Sequence, residues 1–158
     1  MTSLDNFKTA METRWEALTP TVDNSGITAY NFIDDFVDER GGGMHRKMVW
    51  RLSEDTEIVG EHPIQLQSII RAELFIDRTV GGAVRTYEAF VQAVHNEARA
   101  LAVNYSGLNA LGSGVYEAGL VGWTVEEDEP ERPARAGGFP TTQFARVFFT
   151  FNVLTEET

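Results

Sequence analysis

Three histidines, His45, His62 and His95, are natural candidates for acid–base or metal chemistry, yet none stands in an H-x-x-x-H or H-E-x-x-H pattern. His95 is followed by Asn96 and Glu97 in a helical stretch with no second histidine one turn away, so it reads as a polar boundary residue. His62 precedes Pro63 in a loop and has no spacing partner. Carboxylates crowd together at Asp34, Asp35, Asp38 and Glu39. A calcium loop needs alternating oxygen ligands, a glycine at its sharp turn and a closing bidentate glutamate. Here the spacing differs and the glycines come only at 41–43, so the cluster reads as an acidic patch facing solvent or an interface.

Phosphate and nucleophile motifs fare no better. Gly41-Gly42-Gly43 lacks the Gly-Lys-Ser/Thr ending of a P-loop. Gly81-Gly82-Ala83 lies between a predicted strand and a predicted helix, the right context for an anion at a helix N-terminus. Without G-x-G-x-x-G spacing it reads as a tight turn. Gly112-Ser113-Gly114 is not G-x-S-x-G. Cysteine is absent, which excludes disulfides, thiolate zinc sites and a cysteine nucleophile, and suits a reducing compartment. No catalytic, cofactor-binding or metal-ligating residue is therefore expected, and the chain is not expected to be an enzyme.

Composition narrows the classes further. The chain has 158 residues, 42% hydrophobic and 23% charged, which predicts one ordinary globular domain over 1–158. Its 24 acidic residues against 13 basic ones leave a net charge of −11. A protein that grips nucleic acid needs a basic footprint, so this balance argues against phosphate binding but not against nucleic acid sliding past. The segment from Met1 to Ala10 carries Asp5 and Lys8 and has no apolar run of signal-peptide length. No run of about eighteen apolar residues exists to span a membrane.

The elements that would position these residues follow from periodicity. Leu4, Phe7, Met11, Trp15 and Leu18 recur at helical steps, with Ser3 as N-cap, Asp5 in the first turn and Pro20 at the end. Trp15 lies on the apolar stripe and is expected to pack in the core. Residues 19–26 form a turn-rich connection, and Ile27 to Val37 is expected to be extended. Met44 to Leu52 reads as a strand with Met44, Met48, Trp50 and Leu52 on one face and His45, Lys47 and Arg51 on the other, followed by a polar connection over Ser53 to Pro63. Ile64 to Val80 is the strongest strand. Ile64, Leu66, Ser68, Ile70, Ala72, Leu74 and Ile76 share one face, and Gln65, Gln67, Arg71, Glu73 and Asp77 dominate the other. A strand this long is expected to bend at a bulge or to outrun its neighbours.

A second helix is predicted over Ala83 to Asn104, with a stripe of Val84, Tyr87, Phe90, Val91, Val94, Ala98, Leu101 and Ala102. A loop at 105–114 leads to a strand at Val115 to Val125, and a polar excursion follows from Glu126 to Pro140. The closing strand, Phe144 to Leu154, turns Ala145, Val147, Phe149, Phe151 and Val153 to one side. Helix stripes need a sheet face to cover, so the expected fold is α+β: a mostly antiparallel sheet with two helices packed on one face. The other face retains apolar residues, namely Val49, Ile69, Phe75, Phe144 and Phe148. A small monomer seldom exposes so many together, so Ile69, Phe75, Phe144 and Phe148 are the candidate subunit interface. The excursion offers Glu126, Glu127, Asp128, Glu129, Glu131, Arg132 and Arg135 as a candidate partner interface.

In size and order of elements the chain resembles the tail-terminator proteins of long non-contractile-tailed phages and related gene-transfer particles. The residues that carry the likeness are the opening helix running into a Pro-containing turn (Trp15 to Asn24, Trp-Glu-Ala-Leu-Thr-Pro-Thr-Val-Asp-Asn), the long helix Ala83 to Asn104 and the closing strand Phe144 to Leu154. The resemblance implies a structural virion protein at the head–tail junction, assembled in the host cytoplasm. Such a protein forms a homohexameric ring that caps the tail tube and stops its polymerisation. Its partners would be copies of itself, the tail tube protein and a head–tail connector or stopper protein. Genomic DNA would pass through the lumen without specific binding, and the acidic charge would repel its phosphates. The family supplies no catalytic residues. Two other readings stay open at this point: another neck component such as a stopper or adaptor, and a small α+β enzyme or ligand-binding domain with a pocket between helix and sheet.

Overall fold

A computed structural model describes residues 3–18, 29–34, 45–58, 64–77, 87–103, 114–127 and 144–157. Among these described residues two helices, α1 (Ser3–Glu16) and α2 (Tyr87–Val103), accompany five strands: β1 (Asn31–Phe32), β2 (Lys47–Ile58), β3 (Ile64–Asp77), β4 (Val115–Glu127) and β5 (Phe144–Glu157). The sheet order is β1-β2-β3-β5-β4, and every pairing is antiparallel except the short β1–β2 contact. The fold is α+β, as the periodicities require. No helix among the described residues is long and apolar enough to cross a membrane.

Both helices cover one face of the sheet, here called the inner face. Phe7, Met11 and Trp15 of α1 are fully buried, and so are the inward residues of the central strands: Ile70, Ala72 and Leu74 of β3, and Val147, Phe149, Phe151 and Val153 of β5. The period-two alternation of β3 and β5 thus describes the core correctly. Trp15 packs edge-on against Phe149 at 5.0 Å and tilts against Phe151 at 5.7 Å, which makes it a core residue as expected. Trp50 joins the same cluster through Phe7, Phe32 and Phe151. On the other side of the layer, α2 lies over β4, where the His95 ring meets Trp123 at 5.4 Å.

Several boundaries differ from expectation. Of the extended segment predicted at Ile27 to Val37, the described residues 29–34 hold strand at Asn31–Phe32, and Ile27, Thr28 and Asp35 to Val37 lie outside the described residues. β2 continues through Ser53 to Ile58, where a polar connection was expected. Its ladder to β3 explains this: Glu54 to Ile58 pair with Ile69 back to Gln65, and partner hydrogen bonds override the local polarity. The expected bulge lies not in β3, which pairs with β5 in unbroken register, but in β2 beside it and in β4 beyond β5. β2 shifts between Leu52 and Glu54, and β4 shifts at Val115/Glu117 and at Leu120/Gly122. An extra residue in the shorter ladder lets it follow the twist of the long one. The β4 shifts leave Tyr116 and Val121 exposed. Leu52, assigned to the core face, is 54% exposed, whereas His45, assigned to the opposite face, lies in the turn before β2 and is buried.

Ser3 does not act as a free-standing N-cap. It begins α1, and its hydroxyl donates to the Glu156 carbonyl at 2.7 Å. The same end of β5 is held by Glu156 N–H, which donates to the Gly114 carbonyl at 2.7 Å. Gly114 has a φ of +81°, and a Cβ there would collide with the Ser3 side chain, so glycine is required on both counts. The strand ends also move: β4 runs on to Glu127 and β5 to Glu157. α2 is described over Tyr87–Val103; positions 83–86 and Asn104 of the predicted helix, like Arg78 to Val80 of the predicted strand, lie outside the described residues.

Glu12 of α1 accepts a hydrogen bond from Trp50 Nε1 at 3.0 Å. Burial pushes its carboxyl pKa up, and the Trp50 bond opposes that shift. A raised acid pKa means that the folded state holds the proton more tightly than the unfolded state. Stability from this group is therefore gained as the pH falls through the folded pKa, and the ionised form costs stability at neutral pH. Glu12→Gln keeps an oxygen for Trp50 and removes the charge. We expect it to hold or raise Tm at pH 7, with the advantage fading toward about pH 4, where the wild-type carboxyl is itself protonated. A pH series of thermal melts checks this; an equal loss of Tm at every pH would contradict it.

Candidate functional site

The face of the sheet turned away from the helices is organised around one carboxylate. Glu73 sits in the middle of β3, and its side chain is only 7% exposed. Arg51 of β2 approaches it at 3.6 Å and Arg146 of β5 at 3.7 Å. Strand register places these side chains on the outer face, since Glu73 lies between Val49 and Phe148 in the row across the sheet. The two arginines stay about half exposed, so each pair is a partly solvated ion pair of modest strength.

The apolar residues predicted for this face are distributed unevenly. Ile69, Phe75 and Phe148 are half-buried, and Val49, expected to be exposed, is 1% exposed. The outward surplus is therefore smaller than the sequence implies, and it is interleaved with charge. Phe144 pairs with Asp77 at the end of the ladder. Of the residues predicted to meet a partner, Glu126 and Glu127 belong to β4, not to a loop, because they pair with Arg146 and Ala145 of β5. Glu126 is exposed and faces an arginine across the strands, an arrangement that favours the ladder. Asp128, Glu129, Glu131, Arg132 and Arg135 lie outside the described residues.

The remaining candidates are scattered. His45 is buried beside β2 and His95 is half-buried against Trp123, on different elements. His62 lies outside the described residues, as do Asp35, Asp38, Glu39, Gly41-Gly42-Gly43, Gly81-Gly82-Ala83 and Gly112-Ser113; Asp34 is exposed. Among the described residues no three His, Asp or Glu side chains come together as a metal site.

Sequence reasoning missed a buried polar cluster. Glu97 of α2, 4% exposed, accepts from Tyr30 Oη at 2.7 Å and from Arg46 Nε at 2.7 Å, and Arg46 Nη2 reaches its second oxygen at 3.4 Å. Arg46 is 1% exposed and takes a left-handed φ of +60°, which is costly for a residue with a side chain. Its backbone holds that conformation: its N–H donates to the Phe75 carbonyl at 2.7 Å and its carbonyl accepts from Asn31 at 3.1 Å. The cluster ties α2 to the start of β2 and to the segment before β1. The available signal was Glu97's position on the apolar stripe between Val94 and Leu101, where a charge needs a buried partner. Enclosed and mutually satisfied, the three groups lock the fold and present nothing to a substrate. No protein-family model matches the chain, and no curated protein matches it.

Proposed function

We propose that this chain is a structural virion protein of the tail-terminator kind. On this reading it forms a closed ring of six subunits that caps the tail tube, stops its polymerisation and offers a surface to the head connector. The observation that carries the reading is the outer sheet face. It is the face that no helix of the described residues covers, and it holds Ile69, Phe75 and Phe148 among ordered ion pairs. Such a mixture of aromatic, aliphatic and arginine side chains is the composition of a subunit contact. The net charge of −11 supports a lumen that lets DNA pass without holding it. The chain acts without catalysis, cofactor or metal, in the virion at the head–tail junction.

On this reading the segment that follows β4 in sequence meets a neighbouring protein. It contains Asp128, Glu129 and Glu131, then Arg132 and Arg135, with Phe139 its one large apolar residue. Replacing residues 128–138 by a short glycine bridge spares the Glu127–Ala145 pair of the ladder. The expected result is that rings still form and tubes still end, but tails no longer join heads. Infectious particles in normal yield would refute the docking role. The wider reading is tested by withdrawing the protein from an assembling lysate. Tubes of uncontrolled length are expected, and tubes of normal length would overturn it.

A further inference from the structure

β4 closes one side of the sheet, and no strand of the described residues lies beyond it. An edge strand offers its outward N–H and C=O groups to another chain, and edges are ordinarily blunted by lysine, proline or bulges. β4 holds neither lysine nor proline. Its register shifts fall at Val115/Glu117 and Leu120/Gly122, so Gly122 to Glu127 run beside β5 without a break. Alternation gives the strand two sides. On the inner side Leu120, Trp123 and Val125 are only half-buried at the margin of the core. On the outer side stand Glu117, Gly119, Gly122, Thr124 and Glu126, opposite Leu154, Asn152, Thr150, Phe148 and Arg146. Val121, the extra residue at the second shift, is 70% exposed. The charged residues of β4 are Glu117, Glu126 and Glu127, so the edge is acidic with no base of its own.

We propose that this edge takes an extended segment of another protein as an added strand, apolar on its inner side and basic on its outer side. The inference goes beyond the functional reading and holds whether or not the copies form a ring. Main-chain hydrogen bonds to the open edge supply the affinity, and alternate side chains supply the choice of partner. The inner side chains of the added strand extend the core past Leu120, Trp123 and Val125. A lysine or arginine at each end of its outer side lies beside Glu117 and Glu126. Between them, large side chains lie over Gly119 and Gly122, where a Cβ would meet nothing within 4 Å. Gly119 lines a shallow depression with Gln67, Glu117, Asn152 and Leu154, which gives such a side chain a seat. Charge argues against the chain's own edges as the occupant. An antiparallel pair of two β4 strands centred between Val121 and Gly122 sets Glu117 of each copy beside Glu126 of the other. A second copy's β2 set level with β4 brings the stretch Glu54 to Glu57, with three acids, to Glu117. The basic start of β2, at Lys47, already pairs with β1.

The probe is the synthetic peptide Lys-Val-Thr-Val-Tyr-Val-Tyr-Val-Lys, whose outer residues match the row from Glu126 back to Glu117. Binding of the labelled peptide to the full chain is read by fluorescence anisotropy at low salt. A twin with glutamate in place of both lysines should bind about tenfold more weakly. The folded variant carrying Glu117→Lys and Glu126→Lys, checked by circular dichroism, should reverse that preference. Two further forms of the peptide are N-methylated, one at the valines and one at the other residues. Only one of the two should lose binding, because only one set of backbone nitrogens faces β4. Hydrogen exchange should gain protection on binding at the amides from Leu120 to Glu126. Equal binding of the lysine and glutamate peptides would overturn the proposal, as would equal effects of the two N-methylated forms, protection outside β4, or no binding at all. Self-association of the wild type that the Glu117→Lys, Glu126→Lys variant loses would give the edge to a second copy and overturn it too. None of these failures touches the ring reading, which is judged by particle images.

Discussion

Glu97→Ala is expected to destabilise the protein by about 3–5 kcal/mol, because it removes the carboxylate paired with a buried arginine. Arg46 is 1% exposed, and its guanidinium has Glu97 as its carboxylate at 2.7 Å. Truncating Glu97 also removes the acceptor of the Tyr30 hydroxyl. The left-handed backbone at Arg46 compounds the loss, since part of what holds that strained turn is the side-chain anchor. Equilibrium denaturation in urea measures the effect. The paired replacement Arg46→Met with Glu97→Leu should recover much of the loss, since a buried ion pair is often no better than well-packed apolar groups. A loss below about 1 kcal/mol for Glu97→Ala would show that the cluster does not hold α2 to the sheet.

Trp15→Ala is expected to cost about as much, in the range of about 3–5 kcal/mol for a buried aromatic truncated to alanine. Trp15 is fully buried and meets Phe32, Phe149 and Phe151, so its removal leaves a cavity between α1 and the centre of β5. At roughly 2–4 °C per kcal/mol for a chain of this size, Tm should fall by about 10 °C. Calorimetry decides it, and a fall of under about 3 °C would mean that α1 is not part of the cooperative core.

These two residues mark where the sequence is legible and where it is not. Trp15 could be read because a helical stripe is a local pattern: Phe7, Met11 and Trp15 recur at four-residue steps and all are buried. Ala145 to Val153 could be read for the same reason at period two. Glu97, Arg46 and Tyr30 could not be read as a set. Their partnership spans 51 and 67 residues of chain, and only the packing of α2 on the sheet brings them together. The extension of β2 past Ser53 was hidden because its strand character comes from the β3 ladder and not from its own polar residues. The grouping of Arg51 and Arg146 around Glu73 was hidden for a related reason, because the three stand on different strands and meet only when the register is known. The placement of Ile69, Phe75 and Phe148 on the outer face is legible from alternation alone, while the burial of Val49 needed the tertiary structure.

The central claim is that this chain works as a closed ring of its own copies. Averaged electron images of the head–tail junction in particles that contain the protein test it most directly, with the protein located by a label on its chain. The account predicts six copies arranged around one lumen at the end of the tube. A single copy at the junction, or no density for the protein in the particle, would contradict it.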